Sequence, residues 1–319
     1  MGMLKKFQAS LNTTYQQLFK RDETKFMVWV GLKVSGISFI ITCFVYFFLF
    51  EVMRVNLAFF KAHGFPNLED GGDVFFDYIA SGAVDNLPII FAFHISLFFI
   101  GVYVGWIILR PFRVMGDYAE GIIENPHAVY KVDEFSTYKL FTRFSEFFFE
   151  YLRESRKKGE LVPNIIPPQY SRIHQPVLDK VFMLHFGLLL TIISIASCVF
   201  ITENTELVFQ KMIELASKTL NNPKAVRLYF QDQLFLLNDL VWLTVIFITA
   251  GYMALGFHLY NKVSGAAFGI FSTMRAFMKG NYFNRVHLVG YTYLREHTRK
   301  LNKYLDYMEN NYSKTKSKG

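Results

Sequence analysis

Four stretches of this chain, residues 26–50, 87–109, 181–202 and 240–260, are almost free of charge, Lys33 being the interruption in the first. Each is long enough to cross a hydrocarbon layer of about 30 Å as a helix. The 52% hydrophobic content is gathered into these blocks rather than spread through a soluble core, so the expected fold is all-α with four transmembrane helices. A cleaved signal peptide has a shorter apolar region and a small-residue cleavage site, so 26–50, behind a 25-residue leader, is a retained span. Lys33 lies about two turns inside it, near enough to the end for its ammonium to snorkel out.

Lys plus Arg number 5 in residues 1–25, 2 in 51–86, 11 in 110–180, 4 in 203–239 and 11 in 261–319. Because basic residues concentrate on the cytoplasmic side, both termini and the middle are expected inside, with outer loops at 51–86 and 203–239. The first loop breaks at Gly64-Phe65-Pro66 and Gly71-Gly72, the second at Asn221-Asn222-Pro223, and the first is too short for an independent sensor domain. The net charge of +8 comes largely from the basic C-terminal part, which would sit near anionic lipid head groups and makes nucleic acid unnecessary as a partner. Residues 1–25 carry Leu4, Phe7, Leu11, Tyr15 and Leu18 at helical spacing, which predicts a helix on the membrane surface. Cys43 and Cys198 fall inside spans, as small apolar residues.

The second span runs directly into a segment with two helical patterns, 110–152. Its first half has Phe112, Met115, Ala119 and Ile122 on one stripe, and Arg110-Pro111 suits a helix start. Asn125-Pro126-His127 breaks the pattern. Asp133-Glu134 then opens a second helix, since acids favour a helix N-terminus, with a stripe of Leu140, Phe144, Phe147 and Tyr151. Membrane exit, Arg-Pro, short helix, connector, Asp-Glu and long helix together resemble a HAMP domain, the parallel coiled-coil relay of bacterial receptors. That resemblance makes Pro111, Asp133 and Glu134 its motif residues and implies signalling by a two-state change of helix packing, by rotation or small axial shift.

The pattern occurs twice. Adding 155 takes Lys25 to Lys180, Cys43 to Cys198, Glu51 to Glu206, Phe75 to Phe230, Asp77 to Asp232 and Gly101 to Gly256. The first stripe becomes Ala267, Ile270, Met274 and Phe277, all apolar. The second HAMP-like unit, 261–308, ends its first helix at Lys279-Gly280-Asn281 and carries Leu294, Leu301 and Met308 on its second helix, where the offset has drifted to about 157. It differs in having Ala266 at the place of Pro111 and Gly290-Tyr291-Thr292 where an acidic pair is expected. Between the copies, 153–177 loses periodicity and holds Pro163, Pro167, Pro168 and Pro176, which reads as a linker long enough to climb back to the membrane. The expected organisation is an N-terminal segment 1–25, a hairpin 26–109, a HAMP-like unit 110–152, the linker, a hairpin 178–260, a second unit 261–308 and a basic tail 309–319.

Within the spans His94, His185 and His258 are the candidate ligands, but His94 lies near the outer side and His185 near the inner, so they cannot share a metal. His185 and His258 lie at similar depth without a carboxylate or thiolate beside them, a weak metal signal. No phosphate loop, carboxylate pocket or serine elbow appears, so no metal, cofactor or enzymatic activity is expected. The expected function is a signal relay or adaptor passing its change to a separate cytoplasmic output protein. A channel or transporter built from the parallel two-span repeat, or a scaffold anchoring a complex, is the alternative. A HAMP bundle needs four helices and this chain supplies four. Pairing within the chain sets Phe112 with Ala267 and Ala119 with Met274, large with small. A homodimer, the other arrangement, sets like on like, one crowded layer and one loose, at about 1–3 kcal/mol each.

Overall fold

The computed structural model describes residues 21–62, 68–131, 139–171, 180–219 and 223–313, which contain helices and no strand. In chain order these are α1 (Asp22–Ala62), α2 (Leu68–Glu124), α3 (Lys139–Lys158), a single turn α4 (Pro168–Ser171), α5 (Lys180–Thr219), α6 (Pro223–Met278) and, after a 3-10 turn Thr292–Leu294, α7 (Arg295–Tyr312). The lengths of α1, α2 and α3, 41, 57 and 20 residues, recur as 40, 56 and 18 in α5, α6 and α7. The duplication read from residue identities is therefore also a repeat of elements.

Among the described residues, four helical stretches are long and apolar enough to cross a membrane, Asp22–Asn56, Asn86–Glu124, Leu184–Lys211 and Phe235–Met278. Trp29, Ile40, Phe47, Phe99, Trp242 and Ile246 on them are all more than half exposed, a surface suited to lipid rather than water. The chain is a membrane protein.

Helix continues through several places where loops or starts were expected. Residues 63–67 and 220–222, which hold Gly64-Phe65-Pro66 and Asn221-Asn222, lie outside the described residues, but the rest of both outer segments is helical and Gly71-Gly72 sits inside α2. Extending a helix that a span has already nucleated is far easier than starting one. For the same reason Arg110-Pro111 starts nothing: α2 passes through it, with Leu109 and Phe112 at 0% and 1% exposure holding both sides in packing. The linker is shorter than expected, because α3 runs to Lys158. The leader 1–20, the acidic pair Asp133-Glu134 and the tail 314–319 lie outside the described residues.

The chain divides into two compact units, one of Met1–Gly31, Val102–Gly187 and Gly256–Gly319, the other of Leu32–Gly101 and Leu188–Leu255. In the latter, the buried Tyr252 of α6 donates its hydroxyl to the Val34 carbonyl of α1 at 2.9 Å and lies 3.3 Å from the Ser197 hydroxyl of α5. A phenol in hydrocarbon has no water to bond, so such contacts tie helices together. His94 is a satisfied core residue: its Nδ1 donates to the Ile90 carbonyl at 2.7 Å, which places the proton there, and its ring stands edge-on to Phe39 and Phe93. In the former unit, Arg110 lies 5.4 Å over the Trp106 ring, itself stacked on Tyr103, the aromatic and basic grouping of a membrane interface.

Candidate functional site

Within the Met1–Gly31, Val102–Gly187, Gly256–Gly319 unit, the ends of α2 and α6 pack with α3 and α7, and ring contacts give their order and direction. Phe112 meets Phe141 at 4.9 Å and Tyr118 meets Phe149 at 4.7 Å, so α2 and α3 advance side by side in one sense. Phe271 stacks on Phe144 at 4.6 Å, and Phe277 meets Phe148 at 6.3 Å, so α6 runs parallel to α3. Phe149 meets Tyr304 at 6.1 Å, and Lys300 reaches Asp117 at 2.7 Å, which seats α7 against both α3 and α2. Four parallel helices from the two copies thus close on one another within one chain.

Hydrogen bonds and ring contacts hold the described parts of both connectors. In the second copy Gly280 (φ +101°) and Gly290 (φ +84°) adopt the left-handed backbone that L side chains rarely take. Between them the Asn302 side chain clamps Val286 by both its backbone groups, accepting from the N–H at 2.8 Å and donating to the carbonyl at 3.0 Å. In the first copy Tyr118 donates to the Ala128 carbonyl at 3.2 Å and its ring stands against Tyr130.

Phe112, Met115, Ala119 and Ile122, with Ala267, Ile270, Met274 and Phe277, are each at most 1% exposed, as are Phe144, Leu294, Leu301 and Met308. Two predicted positions differ. Leu140 and Phe147 are only half-buried, and the inward residues of α3 are Phe141, Phe144, Phe148 and Leu152, one position over. The α3 segment offers aromatic residues at both registers, and Phe271 selects the one that brings Phe141 and Phe144 onto its ring. Of the three adjacent phenylalanines, Phe148 and Phe149 face in while Phe147 pairs with Tyr170. Pro111 is buried within α2.

The crossing of α2 with α7 carries what spacing alone did not reveal. Glu23, in the first turn of α1, accepts on one carboxylate oxygen from Arg113 Nε at 3.0 Å, from Arg113 Nη2 at 2.8 Å and from His297 Nε2 at 3.1 Å. A carboxylate only accepts, so the proton in the histidine contact belongs to His297 Nε2. His297 is 2% exposed and Glu23 8%, and the His297 Nδ1 has no hydrogen-bond partner among the described residues. Gly116 makes the approach possible, because a Cβ there would stand 2.9 Å from both Cα and Cβ of His297. One turn on, Lys300 pairs with Asp117 at 2.7 Å and Glu120 at 3.0 Å. Burial lowers the pKa of its ammonium, but the bonds and charges of the two acids outweigh that and carry it above the usual lysine value.

His297 did have a signal. It falls between Leu294 and Leu301 at the 3, 4 spacing of the buried stripe, and a polar residue on such a stripe requires a partner. Nothing local points to Glu23, whose partners lie 90 and 274 residues away. His185 and His258 are exposed, and no group of three or more His, Cys, Asp or Glu fit to hold a metal occurs among the described residues. In comparisons with family models, curated proteins and solved structures, nothing matches this chain.

Proposed function

We propose that this protein is a transmembrane signal relay or adaptor of the bacterial inner membrane, with both termini cytoplasmic, in which HAMP-like helices pass a change of packing to a separate output protein. The observation that carries this reading is that α2 and α6 are single helices whose apolar spans continue without a break into the stripe residues Phe112–Ile122 and Ala267–Phe277. On this reading, a displacement along either helix is the input to the bundle. Packed bundles respond to such inputs by switching between discrete arrangements rather than by deforming smoothly. The ionic node suits a switch, because one oxygen of Glu23 serves partners on α2 and α7, and any change of their spacing must trade one bond against another.

The pairing belongs to the same proposal: the two copies form the bundle within one chain, with no second chain needed to bury the stripes. Cysteines at positions 115 and 270 test it by disulfide trapping in cells. A crosslinked monomer is expected, whereas a crosslinked dimer without monomeric product would assign the bundle to two chains. For the relay, Ala119→Leu is expected to alter signalling output more than it lowers melting temperature; variants that only unfold, with none showing altered output, would count against a bistable bundle.

A further inference from the structure

The far end of the bundle has a surface of its own. After α3 ends at Lys158, the chain crosses the other helix ends without regular secondary structure: Leu161 N–H donates to the Tyr312 carbonyl at 2.9 Å and Asn164 N–H to the Met278 carbonyl at 2.9 Å. The last carbonyls of a helix lack partners of their own, so this strap caps α6 and α7 together. Arg156 joins α2 to the same level, donating to the Ile122 carbonyl at 3.3 Å and to the Tyr307 hydroxyl at 3.1 Å. Pro163 lies against Gly280, where a Cβ would meet its Cγ at 3.2 Å, which brings the start of the second connector to the strap.

Five large apolar side chains outside the candidate spans are exposed among the described residues, and three belong to this end: Ile165 at 88%, Phe283 at 66% and Val162 at 48%. Beside them Lys157, Lys158 and Lys279 are exposed on the helix ends that the strap joins. Exposed apolar groups with a polar rim mark interaction sites.

We infer that this strap end is a docking surface for a partner protein, through an acidic segment with large apolar anchors. The inference rests on the relay reading and names the chemistry of its output partner. The membrane does not reach this surface, because Ile122, level with Arg156, is already about 20 Å along α2 from Leu109, the last residue of the apolar block. A second copy fits poorly, since its lysines would face these.

The full chain in nanodiscs of zwitterionic lipid, panned against a display library of random peptides, tests the inference. Recovered peptides are expected to be rich in Asp and Glu with large apolar residues. Ile165→Asp and Phe283→Asp should each weaken the best peptide about tenfold or more, and paired Lys157→Glu and Lys158→Glu should weaken it and flatten its salt dependence. Val289→Asp, in the same connector as Phe283, should leave binding unchanged, with helical circular dichroism showing that all variants are folded. Peptides without acidic bias, binding indifferent to Ile165→Asp and Phe283→Asp, or a photoreactive residue at 165 that crosslinks to lipid or to a second copy would overturn it. Disulfide trapping at 115 and 270 reads the bundle and not the docking, so failure here is separable from failure of the relay reading.

Discussion

At the α3–α6 crossing Phe271 packs against Phe141 and Phe144, ring on ring. At the α2–α7 crossing the residue equivalent to Phe271 under the 155-residue offset is Gly116, and the space is taken by His297 with Arg113 and Glu23 behind it. The residues equivalent to Glu23 and Arg113 under that offset are Leu178 and Phe268, and the one equivalent to His297 under the drifted offset of about 157 is Leu140, all apolar. Lys300 likewise corresponds to Arg143, and Asp117 and Glu120 to Ser272 and Arg275, so the two acids that hold Lys300 have no acidic counterparts at those positions. A homodimer would have to repeat one solution at both crossings. A duplicated chain is free to fill one crossing with dispersion and area burial, and to place directional, charge-assisted bonds at the other.

Breaking the aromatic side should have the largest effect. Phe271→Ala removes a fully buried ring from between two others, and about 3–5 kcal/mol of stability should be lost, read from unfolding of the purified protein in detergent. A loss no larger than at an exposed site would show that this crossing bears little of the packing. Breaking the ionic side by Glu23→Ala leaves His297 buried without its acceptor and should lower stability by about 3 kcal/mol, at the low end for a buried pair because Arg113 is 29% exposed and can turn to water.

Converting the ionic side to the apolar one sharpens the contrast. Glu23→Leu, Arg113→Phe and His297→Leu together, the residue types at the equivalent sequence positions of the other copy, should be neutral or raise stability by about 1–2 kcal/mol while abolishing relay output. Unchanged output in this triple variant would remove the node from any switching role. The smallest effect is expected from Lys300→Gln, below about 1 kcal/mol and fading with added salt, since its carboxylate partners are about half exposed. The folded pKa of Lys300 is raised, so its contribution is fully present below the unfolded lysine value and is lost only as pH rises through the folded one. Titration between neutral pH and the unfolded lysine value should therefore leave the difference between wild type and variant constant.

The spans, the repeat and the inward stripes of α2 and α6 were legible because each rests on periodicity or on sheer apolar length, signals carried within about twenty residues. The 3, 4 spacing sets Leu140 and Phe147 inward as readily as their neighbours, because α3 is apolar on adjoining faces. The choice between faces belongs to Phe271, which lies on a different helix. Arg110-Pro111 looked like a start since proline fits a first turn, but a helix arriving from a span with packing on both sides carries one missing donor through. The Glu23 node was invisible for the reason that makes it informative: its bonds join residues far apart in the chain, and no local pattern records them.

The covalent link between the copies also changes what the bundle's equilibrium depends on. Two-chain assemblies come apart when their copy number falls, so the fraction assembled follows expression level. Here 21 residues, from Gly159 to residue 179, tether α3 to α5, and a short tether holds its ends at an effective concentration on the order of millimolar whatever the dilution. Assembly of this bundle is thereby independent of how many molecules the membrane holds, and under the proposed relay the one concentration left to tune its output is that of the partner that binds it.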